Sequence, residues 1–260
     1  MCYDIRYLTK RMEQYARRYG EGFDLSLLAS TNHTTGMANL MAPVFHVNAF
    51  SHPFVPVRIN RPGYPVVLYR WGLIPHWATS EITAQQLRTQ TFNAKCETLF
   101  DKPSFRQSVE SKRCIVMVDG FFEHHFRGGK PFPYHITGRD DEPLSLAGIW
   151  DTWNNPETGE VESTFSILTT RANELMSSIH NNPKNKEPRM PVIVDDGNEK
   201  LWLESPVGTR AIVKEISKPY PSDRLHAYPV RRLRGKEYAG NSPSQIQPFY
   251  YPELNSLFDH

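Results

Sequence analysis

Short runs of β-type residues recur along this chain, and no regular alternation of strand and helix connects them. The clearest run is Cys114–Val118, which is apolar throughout and therefore predicts a buried strand. Further strands are predicted at Val44–Val47, Val66–Tyr69, Pro133–Thr137, Leu144–Trp150, Thr164–Leu168, Pro191–Val194 and Ala211–Ile216. Many short strands with few helices between them indicate an α+β fold.

Three helices are predicted among these strands. Lys10–Tyr19 carries apolar residues at helical spacing, Thr9 precedes it as a capping residue, and Gly20 ends it. Ile82–Thr89 and Ala172–Ile179 are the other two predicted helices. We therefore expect the helices to flank the strands rather than to link them in pairs.

Length and composition predict one globular unit. Of the 260 residues, 39% are hydrophobic and 22% are charged, which are ordinary values for a globular protein. We expect a single domain over residues 1–240 and an extended tail over residues 241–260, where the sequence is polar and rich in proline.

The composition also limits location and partners. No apolar run approaches the roughly 20 residues of a membrane helix, and no cleavable N-terminal segment is visible, so we expect a cytoplasmic protein. The 3 cysteines lack the spacing of a disulfide framework or of a metal site, and we expect no cofactor. A net charge of +2 permits a nucleic-acid partner without arguing for one.

Cys2 is the first candidate for chemistry. Removal of Met1 would leave a free α-amine and a thiol on adjacent carbons, and both groups titrate not far above neutral pH. Such a pair can capture an aldehyde twice, first as an imine and then as a five-membered thiazolidine ring. The alternative is that Cys2 is an accident of the start site.

Two polar segments supply possible partners for Cys2. Asn93 and Lys95 lie in Thr91–Thr98, where an amide and a cation could contact a substrate or belong to a plain surface loop. Glu123 follows a buried strand and lies among aromatic residues, where burial should raise the pKa of its carboxyl group into the range of a general acid or base. It could equally be a strand-end residue that faces solvent.

A histidine and an aromatic segment complete the candidates. His180 follows the predicted helix Ala172–Ile179, whose dipole should raise the histidine pKa and make it a proton donor, unless it only caps the helix. Trp71, Pro75 and Trp77, with Arg70 beside them, could stack unpaired bases or line a core.

The order of these motifs resembles that of the SRAP family, the SOS response-associated peptidases that sense abasic sites. The resemblance runs from Cys2 to about Val194. It is carried in turn by Cys2, the Trp-Gly-Leu-Ile-Pro-x-Trp segment at residues 71–77, Asn-Ala-Lys-x-Glu-Thr at 93–98, Arg-Cys through Gly-Phe-Phe-Glu at 113–123, Ala-Gly-Ile-Trp at 147–150, Phe-Ser-Ile-Leu-Thr-Thr-x-Ala-Asn at 165–173, Ile-His at 179–180 and Arg-Met-Pro at 189–191.

The resemblance implies a branched, mixed β-sheet or partly closed β-barrel with flanking helices. It implies that a monomer binds single-stranded DNA containing an abasic site and crosslinks to it through a thiazolidine on Cys2, which is a lyase-like activity. It also implies a peptidase activity that removes the residues before Cys2. The implied catalytic residues are Cys2, Asn93, Glu123 and His180. The implied DNA-binding residues are Arg6, Arg70, Trp71, Pro75, Trp77, Lys95 and Arg189, and no metal or other cofactor is implied.

The chain departs from the family pattern at several positions. The usual Cys-Gly-Arg start is Cys2-Tyr3-Asp4, so a basic phosphate contact is missing and Asp4 would repel phosphate unless it points away. Arg6 is the candidate substitute. Lys95 stands where the family has arginine, and His124 follows Glu123 where the family has tryptophan. Residues 181–188 separate His180 from the Arg-Met-Pro segment, whereas the two are almost adjacent in the family.

Two other functions fit the same residues. Cys2 could be the nucleophile of an N-terminal-nucleophile peptidase or amidohydrolase, with its own amine as base. The chain could also bind single-stranded DNA without catalysis, in which case intact and abasic strands should bind equally and salt should weaken both.

Overall fold

A computed structural model describes residues 2–10, 12–19, 42–63, 66–140, 142–204 and 209–255. In these ranges the strands are β1 (Asp4–Tyr7), β2 (Val44–Asn48), β3 (Phe54–Ile59), β4 (Val66–Trp71), β5 (Asn93–Lys95), β6 (Arg113–Val118), β7 (Gly120–Arg127), β8 (Lys130–Gly138), β9 (Leu144–Asn154), β10 (Val161–Arg171), β11 (Arg189–Pro191) and β12 (Leu225–Pro229). The α-helices are α1 (Met12–Tyr19), α2 (Glu81–Arg88), α3 (Arg106–Ser111), α4 (Glu174–Ile179), α5 (Asp196–Glu204), α6 (Thr209–Ile216) and α7 (Pro252–Asn255).

The strands form two sheets, and one of them closes on itself. In the second sheet β4, β3, β6, β9 and β10 pair in turn, and β10 pairs again with β4, so the five strands make a closed ring. The β4–β10 pair is parallel and the others are antiparallel. The sequence prediction of an α+β fold with a mixed, partly closed barrel is confirmed.

Strand β10 is the branch point of the barrel. It is 11 residues long, which at about 3.3 Å per residue gives room for more than one partner along each edge. Beyond its contact with β4 it pairs in parallel with β5, and beyond its contact with β9 it pairs with β11. The branch thus brings Asn93 on β5 and Arg189 on β11 to one end of the barrel.

The first sheet carries the N-terminus. Its order is β12-β8-β7-β1-β2, so β1 is an inner strand between β7 and β2. Asp119, in the turn between β6 and β7, accepts hydrogen bonds from Thr9 and from the Tyr15 hydroxyl of α1, at 2.6 Å from the Thr9 amide nitrogen. Thr9 therefore anchors β1 and α1 to this turn, and Gly20, predicted to end the helix, lies outside the described residues.

One predicted strand is wrong. Residues Ala211–Ile216 belong to helix α6, whose buried side chains are Thr209, Ile212, Val213 and Ile216. These positions follow helical spacing, and the β-branched residues among them favoured the strand prediction.

Most of the other predicted elements appear with shifted ends. The three predicted helices correspond to α1, α2 and α4, whereas the strand expected at Pro191–Val194 shares only Pro191 with β11, which ends there. The segment expected to be an extended tail contains a 3-10 helix at Pro243–Ile246 and helix α7, with Gln245 fully buried and Tyr251 buried against the body of the protein.

Candidate active site around Cys2

A single side chain of the second sheet holds Cys2. The Asn93 Nδ2 atom, on β5, donates a hydrogen bond of 2.8 Å to the carbonyl oxygen of Cys2, which precedes β1. Cys2 is buried, with 1% of its surface exposed. The contact joins two residues that are 91 positions apart and fixes the N-terminal strand where the two sheets meet.

Glu123 lies next to Cys2 because β7 pairs with β1. Asp4 is opposite Phe122 in this antiparallel pair, which places Glu123 beside the chain start. Burial raises the pKa of the Glu123 carboxyl group, as the sequence predicted. Burial, and then the charge of Glu123, raise the pKa of the Cys2 thiol well above its ordinary value. The thiol is therefore neutral in this state, and the raised pKa of Glu123 makes its carboxyl group better suited to exchange a proton.

His180 faces Glu123 from the end of helix α4. Its Nε2 atom is 3.8 Å from Glu123 Oε2. The backbone N–H of Arg189 donates a hydrogen bond of 2.8 Å to Nδ1, so the neutral ring carries its proton on Nε2. Nε2 also lies 2.9 Å from Asn185 Nδ2, and because both atoms carry protons in this tautomer, the Asn185 amide must turn its Oδ1 atom toward His180 to accept from Nε2–H. The one ring N–H group of His180 thus faces Asn185 and lies near the Glu123 carboxyl group.

The structure corrects the expectation that the helix dipole raises the pKa of His180. The residue does follow the last turn of α4, yet burial lowers its pKa to about 4. Burial outweighs the dipole because the charged ring would lose water, and because protonation of Nδ1 would break the hydrogen bond from Arg189. His180 is consequently a neutral hydrogen-bond donor at pH 7 and not a cationic acid.

Three cavities adjoin this cluster. Glu123 and His180 line a cavity of about 420 Å³, together with Lys95 and the segment 182–187. Cavities of about 330 Å³ and 460 Å³ share lining residues with it, and Tyr3 lines all three. The three cavities therefore meet at the residue next to Cys2, and together we call them the groove.

Two of the predicted cationic residues lie at this groove. Lys95 is exposed and lines the 420 Å³ and 330 Å³ cavities. Arg189 lines the first cavity but is only 2% exposed, and its guanidinium group donates two hydrogen bonds of 2.8 Å to Glu97. A third bond, of 2.9 Å, reaches Glu187. The charge of Arg189 is thus already compensated within the protein, whereas that of Lys95 faces the cavity.

Three predicted DNA contacts lie in the interior, and the structure corrects them. Trp71 is fully buried and its indole N–H donates to the Phe92 carbonyl at 2.9 Å, so no ring face is left for a base. Pro75 is also buried. Arg6 is 7% exposed and its Nε atom donates to Thr9 at 2.6 Å, so it does not substitute for a phosphate-binding residue near position 4.

Arg70 and Trp77 lie on the surface outside the three cavities. The Arg70 guanidinium group pairs with Glu162 at 2.8 Å and lines a separate cavity. Trp77 is 39% exposed and donates to the carbonyl of Pro103 at 3.3 Å. The neighbours of Pro103 in sequence line the 330 Å³ cavity, so Trp77 stands near its rim.

Asp4 lines the 460 Å³ cavity, but its carboxylate already has partners within the protein. It is 4% exposed, and its Oδ1 atom lies 2.9 Å from His46 Nε2 and accepts a hydrogen bond of 2.7 Å from Asn48 Nδ2. Arg234 approaches its second oxygen at 3.9 Å. The carboxylate is therefore compensated from within, and the repulsion of phosphate expected from the sequence is reduced.

Sequence reasoning missed several residues that line the groove. Tyr3, Phe50, Arg232 and Arg234 all line the 460 Å³ cavity. A bulky residue after Cys2 and the basic segment 231–234 were available signals.

In the described part of the chain, no group of three or more His, Cys, Asp or Glu residues is placed to hold a metal ion. Across the same residues, no helix has the length and apolar character needed to cross a bilayer.

Comparison with known sequences gives a consistent family. The family model described as "SOS response associated peptidase (SRAP)" matches residues 1–236. A relative named abasic site processing protein YoqW, from Bacillus subtilis, is 38% identical over 179 residues, which cover 68% of this chain and 74% of the relative. One from Gallus gallus, named abasic site processing protein HMCES, is 33% identical over 183 residues, which cover 62% of this chain and 51% of the relative.

Solved structures share the fold. A crystal structure of a protein from Bacteroides thetaiotaomicron superposes with a TM-score of 0.80 at 34% identity, covering 96% of this chain and 100% of the other. A second, from Bordetella bronchiseptica, gives a TM-score of 0.70 at 26% identity, covering 89% of this chain and 100% of the other.

Proposed function

We propose, since this chain belongs to the SOS response associated peptidase (SRAP) family, that it captures abasic sites in single-stranded DNA as a covalent adduct of Cys2. The relatives named abasic site processing proteins support the choice of lesion. The observation that carries the proposal is the hydrogen bond from Asn93 to the Cys2 carbonyl, which holds Cys2 beside Glu123 and His180.

The proposed reaction begins once Met1 has been removed. The Cys2 α-amine attacks the C1′ aldehyde of the ring-opened sugar, and the carbinolamine loses water to give an imine. The Cys2 sulfur then adds to the imine carbon, and the thiol proton passes to the nitrogen as the thiazolidine ring closes. One C–N bond and one C–S bond form, and one water molecule leaves.

Glu123 and His180 have complementary roles in this sequence. The loss of water needs a proton, and the closing thiol must lose one. A buried carboxyl group with a raised pKa can do both near neutral pH. The His180 Nε2–H lies 3.8 Å from that carboxyl group, so after a small approach it can donate a hydrogen bond to the carboxyl group or to the departing oxygen without changing its own protonation state.

The cavities suit an abasic strand. The 420 Å³ cavity beside Cys2 is lined by Lys95, Lys184 and Lys186, whose charges favour the phosphates on either side of the lesion. A nucleotide without a base needs no unstacking to enter such a cavity. We propose that the protein acts as a monomer on cytoplasmic or nucleoid DNA.

The test is incubation with a single-stranded oligonucleotide that contains one abasic site, followed by denaturing gels and intact mass. We expect an adduct whose mass equals protein without Met1, plus DNA, minus one water. Cys2→Ala should abolish it, and Cys2→Ser should give no thiazolidine. An adduct of wild-type yield from Cys2→Ala would overturn the proposal.

Two controls separate the other functions. Turnover of amide substrates without DNA would support an N-terminal-nucleophile amidohydrolase instead. Equal, salt-sensitive affinity for intact and abasic strands, with no adduct, would support a non-catalytic binder.

The mass of the purified Glu123→Gln variant tests the proposed peptidase step. If this variant keeps Met1 while the wild type loses it, the removal of Met1 depends on this site.

A further inference from the structure

Phe50 is an exposed aromatic residue beside the chain start. It is 56% exposed and occupies a 3-10 turn, Ala49–Ser51, that follows β2. Its ring stacks on that of Tyr3, with centroids 5.4 Å apart and planes inclined by 28°. Single exposed apolar side chains are common, so it is the stacked pair of rings at a cavity, and not exposure alone, that singles out this position.

Hydrogen bonds hold this turn in place. The Ala49 amide donates to the Tyr3 carbonyl at 2.7 Å, and the Phe50 amide donates to the Asn48 side chain at 2.9 Å. The same Asn48 side chain donates to Asp4. Phe92 contacts the Phe50 ring edge-on from the buried side, at 5.0 Å between centroids. The exposed ring therefore forms a fixed surface, and it needs little ordering to bind a flat ligand.

Two arginines lie at the same cavity as the ring. The 460 Å³ cavity that Phe50 and Tyr3 line is also lined by Arg232 and Arg234, and by the carboxyl groups of Asp4 and Glu123. Arg232 is held by Pro131, whereas the Arg234 side chain is 65% exposed and meets Asp4 only at 3.9 Å. An aromatic face with a cation at its rim fits a nucleotide, whose base stacks and whose phosphate is anionic.

We propose that Phe50, backed by Tyr3, stacks the base that neighbours the abasic nucleotide, and that Arg234 contacts the phosphate of that neighbour. The inference rests on the proposed function for the identity of the strand. The 460 Å³ cavity and the 420 Å³ cavity share Tyr3, Glu123 and His124, so a strand whose lesion reaches Cys2 can extend into the cavity that Phe50 lines.

The test uses wild-type protein and a strand with a tetrahydrofuran abasic analogue, which has no aldehyde and so binds reversibly. 2-Aminopurine placed next to the analogue reports stacking through its fluorescence. We expect quenching with the wild type, loss of quenching in Phe50→Ala and recovery in Phe50→Trp. Because stacking contributes about 1–3 kcal/mol per base, Phe50→Ala should raise Kd about tenfold.

Matched controls isolate the stacking contact. Tyr250 is 67% exposed and lines none of the three cavities, so Tyr250→Ala should leave Kd unchanged. On a strand whose neighbouring bases are also replaced by tetrahydrofuran, Phe50→Ala and the wild type should bind equally. Arg234→Ala should lower the salt dependence of log Kd by about one unit for every sequence.

The inference would be overturned if folded Phe50→Ala had the wild-type Kd for the analogue strand and quenched 2-aminopurine as the wild type does. It would also be overturned if the wild type did not bind the analogue strand. The reactive abasic strand tests the function separately. Adduct formation with no dependence on Phe50 would reject only the stacking contact, and Phe50-dependent stacking with no adduct would reject only the covalent capture.

Discussion

At the scale of single residues, Asn93 sets the position of the reacting group. Its Nδ2 atom bonds to the Cys2 carbonyl, while its buried Oδ1 atom has no hydrogen-bond partner among the described residues. A buried carbonyl oxygen without a donor is costly, and such atoms often await a ligand or a water. The α-amine of a processed Cys2, or a sugar hydroxyl, would be a suitable donor.

Asn93→Ala should slow adduct formation by about 10- to 100-fold, because small displacements of a reacting group have effects of that size. The free energy of unfolding should fall by only about 1 kcal/mol for the lost hydrogen bond. Single-turnover rates with abasic DNA and urea unfolding measure the two effects. Asn93→Asp, which keeps the size but cannot donate, should be slow as well, and a wild-type rate in both variants would contradict this role.

The protonation of His180 makes a second prediction at this scale. Its pKa of about 4 in the folded protein lies below the ordinary value of about 6.5 in an unfolded chain. Between these values the unfolded chain binds more protons, so stability falls as the pH falls through this window. We expect the wild type to lose about 2 kcal/mol more than His180→Gln between pH 7 and pH 4.5 in urea titrations. Equal losses would show that His180 does not titrate this way.

At the scale of elements, α4 and the segment after it present His180 to Glu123. Asn173 caps α4 through a hydrogen bond of 2.8 Å from the Met176 amide to its Oδ1 atom. Its Nδ2 atom also donates to the Tyr220 carbonyl at 2.6 Å, which ties the helix start to the segment after α6. Segment 182–187, where this chain departs from the family pattern, then covers the cavity and brings Asn185 to His180.

Asn173→Ala should lower the free energy of unfolding by about 1 kcal/mol, the usual effect of losing a cap, and should also slow adduct formation. Ser80→Ala is the matched control, because Ser80 caps α2 by accepting from the Thr83 amide at 3.2 Å. The control should lose similar stability in thermal unfolding and keep its rate. Identical rates in the two variants would place α4 outside the mechanism.

At the scale of the whole molecule, the closed ring of five strands supports both halves of the site. Gly148 lies where β9 pairs with β6 on one side and with β10 on the other, opposite Cys114 and Ile167. A Cβ atom at Gly148 would lie 2.8 Å from Cys114 Sγ and 3.1 Å from the Ser166 carbonyl oxygen. The ring therefore leaves no room for a side chain at this junction.

Gly148→Ala should destabilise the fold by about 1–3 kcal/mol through overpacking. Gly197 is the control, because a Cβ atom there meets nothing within 4 Å and Gly197→Ala favours helix α5. We expect a lower Tm for the first variant and an equal or higher Tm for the second. A wild-type Tm for Gly148→Ala would contradict the close packing of the ring.

Local patterns in the sequence predicted about half of the strands and α-helices. The apolar run of β6 predicts a buried strand because both of its edges and faces are covered in the barrel. The same reasoning failed for α6, where β-branched residues at helical spacing are ambiguous over a short segment. The closure of β10 on β4 could not be read from local pattern, because strand partners are chosen by packing between distant segments.

The sequence by itself singled out the residues that we propose carry the chemistry: Cys2, Asn93, Glu123 and His180 are chemically distinctive and occur in a characteristic order. Only the tertiary structure decided which neighbours they have. It buried Trp71 and Arg6, compensated Arg189 with Glu97, lowered the pKa of His180, and set Tyr3 and Phe50 at the groove. Exposure, pairing and pKa depend on what lies around a side chain in space, and those surroundings come from segments far apart in the chain.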